Sequence, residues 1–289
     1  MARAAANVSR LQLAMRIPKR NLSRTDTEDL KVYDVCALSA DEVLLACGSG
    51  LRVVSLHTAQ LVAHEPSAIQ YVWRVAFDAH TDTLLLLVGP PTGEYQLVSM
   101  RRNASEWLEV QRLDIRHIIL FFDFAVCDSL VLLGGGGENT LNVFDVSAEH
   151  TMRYAGNATW QSSQNHRLFH RITCTRRDGV TLVAFTHDSS VFLLRLTLLP
   201  LRLVPLANVS LTDSHGLLFR EDLLLVADWN RATLTSAIVS IRASDNALTE
   251  RRVLLDAQAG VRVEAWALAS DRLVLWNGEP EELLVYAFT

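Results

Sequence analysis

Apolar residues in this chain gather in short runs rather than at helical intervals. Six times a β-rich apolar stretch meets a short turn containing Asp, and an intensely apolar stretch follows at once. The six are VYDVCALSADEVLLAC from Val32, VWRVAFDAHTDTLLLLV from Val72, FFDFAVCDSLVLLG from Phe121, HRITCTRRDGVTLVAF from His170, HGLLFREDLLLVAD from His215 and VEAWALASDRLVLW from Val263. Apolar runs of roughly four to eight residues bounded by turn signals read as strands. A third strand then begins at Leu51, Tyr95, Leu141, Val191, Ala237 and Leu283, and in five units a more polar fourth follows, at Gln60, Trp107, Met152, Leu201 and Arg251. The second strands are almost wholly apolar, as strands covered on both faces must be. The fourth carry Arg, Glu and Pro, which suits an exposed edge.

Aligned on the turn, the recurring acids are Asp41, Asp82, Asp128, Asp178, Asp222 and Asp271, spaced by 41, 46, 50, 44 and 49 residues. One multi-stranded unit about every 40 to 50 residues is the period of a β-propeller blade. The expected fold is therefore all-β: a six-bladed β-propeller of four-stranded antiparallel blades forming a single domain over 1–289. The blades are expected at approximately 31–65, 70–115, 119–158, 168–207, 214–257 and 262–289. The last unit stops after its third strand at Thr289. An unpaired edge would remain there. Leu11, Leu13, Met15 and Ile17 alternate with Gln12, Ala14 and Arg16, so residues 10–17 are the expected closing strand, pairing with the last blade.

Composition narrows the function classes. The 289 residues include 27 basic and 32 acidic side chains, four Cys and 49% apolar residues. That excludes a disordered chain and a disulfide scaffold, and no apolar run approaches the roughly 20 residues of a membrane helix. The basic residues Arg3, Arg10, Arg16, Lys19, Arg20 and Arg24 precede any acid, leaving 21 basic against 32 acidic side chains behind them. Such a body repels phosphate backbones, so neither nucleic acid nor membrane is an expected partner. The acid-free, Arg-rich start is also the composition of a mitochondrial transit peptide. Sequons at Asn7, Asn21, Asn103, Asn157 and Asn208 would suit a secreted protein. The expected compartment is the cytoplasm, with mitochondrial and secreted placements as alternatives, and the expected state a monomer.

The unit containing DLLLVADWNRATLTSAIVSI, from Asp222, resembles the NHL and YWTD repeats of the six-bladed propeller superfamily, in which a strand ending in Val-Ala-Asp or Trp-Thr-Asp precedes an Ile-centred strand. That superfamily also includes gluconolactonase-like enzymes, which hold one divalent metal through a Glu, an Asn and an Asp. The resemblance implies an Asn before Gly-Leu in one blade, where this chain has His215 before Gly216 and Leu217. A metal-dependent lactonase or esterase is accordingly the alternative. The primary expectation is a non-catalytic module, using no cofactor and no metal, that binds protein through its loop face, with a small-molecule ligand as a further option. Loops on a rigid scaffold vary freely, and Trp and Arg dominate contact hot spots. The candidate contact residues are Asp228, Trp229, Asn230, Arg231, Trp276, His187, Asp188 and His215. Trp229 and Trp276 have a competing role as packing between neighbouring units. Other motifs read as scaffold. Gly134 to Gly137 lacks the Lys-Ser/Thr of a phosphate loop. His166 and His170 would lie about 13 Å apart on a strand. Asp213, Ser214 and His215 are consecutive and cannot assemble a triad.

Overall fold

The computed structural model describes residues 10–23, 30–64, 69–90, 94–103, 106–115, 123–134, 140–160, 171–187, 189–211, 213–230, 232–244 and 247–289. Gly135 to Gly137, His166, His170, Asp188 and Arg231 lie outside these. The strands follow the repeats. After β1 (Leu11–Pro18), the first unit contains β2 (Val32–Ala37), β3 (Glu42–Cys47), β4 (Gly50–Ser55) and β5 (Gln60–His64). The second contains β6 (Val72–Asp78), β7 (Thr83–Val88), β8 (Gln96–Asn103) and β9 (Glu106–Asp114). The third contains β10 (Asp123–Cys127), β11 (Leu130–Gly134), β12 (Thr140–Val146) and β13 (Met152–Thr159). The fourth contains β14 (Arg171–Arg177), β15 (Val180–His187), β16 (Ser190–Leu198) and β17 (Leu201–Ser210). The fifth contains β18 (Ser214–Arg220), β19 (Leu223–Asn230), β20 (Thr235–Ala243) and β21 (Leu248–Leu255), and the last β22 (Val263–Ala269), β23 (Arg272–Gly278) and β24 (Glu281–Phe288).

Each unit pairs its strands antiparallel in chain order, and β1 pairs with β24 from Leu11 opposite Phe288 to Pro18 opposite Glu282. The third and fourth units join into one eight-stranded sheet through a single parallel bridge between Thr159 and Arg202; the other sheets have four strands each. The chain is thus all-β. Among the described residues no helix is long and apolar enough to cross a membrane.

The recurring Asp has a backbone reason. Asp82, Asp128 and Asp178 take positive φ in the turn between the first two strands of their units, and Glu221 and Ser270 do so one residue before Asp222 and Asp271. Short polar residues tolerate the left-handed region best, because the side chain can bond locally.

The apolar second strands pack on both faces. Val43, Leu45 and Cys47 point into a core shared with the last unit, while Leu44 and Ala46 point into one shared with the second. The same period-2 division recurs: among the described residues six apolar clusters form, each between neighbouring units, with the first and last counted as neighbours. Burying one Leu contributes roughly 1.5–3 kcal/mol. Leu84 to Leu87, all fully buried, feed two cores at once.

Candidate functional site

The first strand of every unit starts at the same end of the molecule, and that end carries the long connections. Residues 160–170 separate β13 from β14, 115–122 separate β9 from β10, and 89–95 separate β7 from β8. At the opposite end residues 128–129, 178–179, 221–222 and 270–271 suffice to turn the chain. Tight turns fix a scaffold, whereas long connections supply surface for binding. The two ends therefore differ in how much chain they carry.

The first strands β2, β6, β10, β14, β18 and β22 line a channel of about 440 Å³. Its walls near the strand starts carry Asp34, Asp123, Arg171 and Glu264, and Arg74, bonded to Asp123 from the second unit, completes an alternation of sign over the first four units. In the fifth unit Gly216 sits below the Trp266 indole; a Cβ there would come within 2.7 Å of Nε1. The charges stitch neighbouring strands together. Asp34 Oδ2 accepts from Val75 N at 3.0 Å, and its Oδ1 accepts from Val35 N at 3.0 Å. Arg74 Nε donates to Asp123 Oδ1 at 2.9 Å while Ile172 N donates to Asp123 Oδ2 at 2.8 Å. Arg74 also donates to the carbonyls of Tyr33 and Trp73.

Burial sets the protonation of this belt. It pushes the Asp34 carboxyl up to about 6 against the opposing pull of Arg74. Burial, then the like charge of Arg74, brings Arg171 down to about 10. The Cys36 thiol rises to about 12 through burial and then the Asp34 charge. A buried thiol of this kind is a poor nucleophile.

These side chains do not suit a divalent cation. Both oxygens of Asp34 and of Asp123 already accept from N–H groups, and the Arg171 side chain lines the same wall. Among the described residues no group of three His, Cys, Asp or Glu is placed to hold a metal ion.

Beside the belt, where the first two units meet, Tyr33, Trp73 and Tyr95 form an aromatic cluster. The Tyr33 and Trp73 rings lie 4.5 Å apart and Trp73 and Tyr95 meet edge to face at 6.4 Å. Lys31 Nζ sits 5.3 Å from the Tyr33 ring. Trp73 Nε1 donates to Gly89 O at 2.7 Å, which fixes the indole. Gly89 has φ +152°, and a Cβ there would approach Glu94 O to 2.4 Å, so the position requires glycine. Next to them Tyr71, with φ 55°, is 38% exposed, and its backbone is held by Gly48 O and Gly89 N.

The candidate contact residues scatter. Trp276 is 1% exposed inside the core between the first and last units, so it packs the scaffold and presents no contact surface. Asp228 is also buried and accepts from Asp213 N and Arg251 NH2. Trp229 is half-buried, with Arg262 at 5.9 Å from its ring. Asn230 Oδ1 accepts from Ala232 N at 2.9 Å and so shapes its own turn. His187 ends β15 opposite Ser190, and His215 is described only as a β18 backbone position. Asp228, Trp229 and Asn230 adjoin one another along β19 in the fifth unit, whereas His187 ends β15 in the fourth.

Asp34, Arg74, Asp123 and the Tyr33–Trp73–Tyr95 cluster were not among the expected sites. Their signal lay in the aligned repeats: the third residue of VYDV, VWRV and FFDF is charged in a position where the neighbouring residues are apolar.

No protein-family model matches the chain, and no curated protein matches it. Solved structures do. The β-propeller domain of Cps50 (Swd1) from Myceliophteria thermophila superposes with a TM-score of 0.62 at 9% identity, covering 96% of this chain and 100% of that one. A chain of the mitotic checkpoint complex gives 0.53 at 12%, over 92% and 79%. A functionally unknown protein from Desulfotomaculum acetoxidans gives 0.63 at 15%, over 90% and 84%. At such low identity these likenesses establish the fold alone, a β-propeller.

Proposed function

We propose that the chain is a six-bladed β-propeller, its ring closed by β1 on the last blade, that acts as a non-catalytic module docking a protein partner at the end carrying the long connections. The six shared cores and the β1–β24 pairing support the blade count and the closure. The observation that carries the docking reading is the aromatic cluster of Tyr33, Trp73 and Tyr95, with Tyr71 exposed beside it and Lys31 above it. Tyr, Trp and cationic residues held rigidly at a surface are the composition of an interface hot spot. One similar structure is a chain of an assembly, the mitotic checkpoint complex, which agrees with a propeller used as a platform. The engaged carboxylates of the channel give no support to the metal-dependent lactonase.

The test compares partners recovered by affinity purification with the wild type, with Tyr71→Asn and with Leu199→Ala. Asn tolerates positive φ, so the first substitution removes the ring without straining the turn. Leu199 is 95% exposed at the opposite end. A partner lost roughly tenfold or more with Tyr71→Asn, about 1.4 kcal/mol, and retained with Leu199→Ala, supports the reading. Recovery unaffected by Tyr71→Asn, or lost with Leu199→Ala alone, moves the docking site elsewhere.

A further inference from the structure

Two cysteines face each other across the junction of the third and fourth units. Along β10 alternate residues face opposite ways: Phe124 and Val126 belong to the core shared with the second unit, and Ala125 to the core shared with the fourth. Cys127 follows Ala125 by two and therefore points to the same side. On β14, Ile172 and Cys174 enter that core from the other wall. The bond from Ile172 N to Asp123 Oδ2 fixes how the two strands lie along each other. Cys174 stands two residues beyond Ile172 and Cys127 four beyond Asp123, on the same side of the junction and both partly buried. The Cys127 thiol is a close neighbour of Cys174, and burial first, then this neighbour and the nearby Asp128 and Asp78, push the Cys174 thiol well above the usual thiol range. The other two cysteines differ: Cys36 and Cys47 are buried and sit in cores on opposite faces of the first unit.

We propose that Cys127 and Cys174 form a dithiol site that closes to a disulfide by exchange with a low-molecular-weight disulfide such as glutathione disulfide, tying together the first strands of the third and fourth units. Cys127 starts the reaction. Its thiolate attacks one sulfur of glutathione disulfide and releases one glutathione thiolate. Cys174, partly buried and slow to ionise, then loses its proton to solvent and displaces the second glutathione from Cys127, the adjacent mixed disulfide making up in proximity what the thiol lacks in acidity. The protein dithiol is oxidised and one glutathione disulfide is reduced to two glutathione molecules, so electrons and atoms balance. The bond would close a loop from residue 127 to residue 174 and restrict the unfolded chain, which stabilises the folded one.

The reduced full-length chain, incubated at neutral pH over a series of glutathione disulfide to glutathione ratios and then alkylated, tests this by peptide mass spectrometry and thermal melting. The expected product is one cross-link, Cys127 to Cys174, with Cys36 and Cys47 alkylated only after unfolding, and a melting temperature several degrees higher. In Cys174→Ser the reaction should stop at a glutathione adduct on Cys127, while Cys36→Ser should cross-link like the wild type. A wild type that accumulates the adduct on Cys127 without a cross-link overturns the proposal. So do both thiols remaining free in glutathione disulfide alone, or a cross-link to any other cysteine.

Discussion

Asp34 shows how one side chain is used twice. Its carboxylate accepts from the next residue of its own strand, Val35 N, and clasps the next unit through Val75 N. Burial nonetheless raises its pKa to about 6, the Arg74 charge offsetting only part of the effect. The sign follows from linkage. With a folded pKa above the unfolded value near 3.8, the folded state binds more protons between about pH 4 and 6, so this group's contribution to stability is largest below that window and falls as pH rises through it. Two units correspond to at most about 3 kcal/mol. Asp34→Asn removes the titration but gives up one acceptor, a cost of about 1–2 kcal/mol for the backbone N–H left unbonded. Relative to wild type, the variant should therefore be less stable at pH 4 and should gain on it by pH 7. Urea unfolding of both proteins at the two pH values checks this; a difference independent of pH would show that Asp34 is solvated.

At the scale of strands, the alternation of Leu11, Leu13, Met15 and Ile17 was enough to indicate β1, but a register shift between Leu13 and Met15 sends Leu11 into the core shared with the fifth unit and Ile17 into the one shared with the first, and leaves Leu13 exposed. Three of the Asp turns were legible because Asp82, Asp128 and Asp178 take positive φ, which restricts the residue choice; at Asp222 and Asp271 the positive φ falls one residue earlier. Contact residues left no such trace. Trp276 reads in sequence like a loop aromatic after an apolar run, yet it lies in β23 with its side chain in the core. A terminal strand residue and a loop residue differ by one position of register, which composition does not encode. The belt of charge was visible only by comparing units, since Asp34 and Arg74 are of opposite sign and look unrelated singly. β1 also supplies a prediction. Ile17 is fully buried between the first and last units, and Arg16 NH1 reaches Glu282 Oε1 at 2.7 Å. Ile17→Ala should cost about 2–5 kcal/mol, whereas Arg16→Ala, with 57% of its side chain exposed, should cost under about 1 kcal/mol. Thermal melts rank the two; equal losses would mean that β1 is held by its surface ion pair rather than by its buried face.

No unit of this molecule owns a core, since each apolar cluster is completed by a neighbour. A unit released from its neighbours would expose both faces of its second strand, so the units must gain or lose structure together. Asp123 is where this interdependence concentrates in polar form. It takes Arg74 from the second unit and Ile172 N from the fourth while belonging to the third. Asp78, at the far end of β6, binds its own turn through His80 N and Thr81 Oγ1 and reaches the third unit only through Ser129 N. Asp123→Ala leaves the half-buried Arg74 guanidinium without its carboxylate and Ile172 N without its acceptor, and should cost at most about 3–5 kcal/mol. Asp78→Ala should cost about 1–3 kcal/mol for its unsatisfied donors. Both variants should still unfold in urea through a single transition, displaced to lower midpoint and further for Asp123→Ala, because no half of the molecule retains a complete set of cores. Two separated transitions in Asp123→Ala would mean that the third and fourth units, joined by the Thr159–Arg202 bridge, stand alone once the clasp is cut.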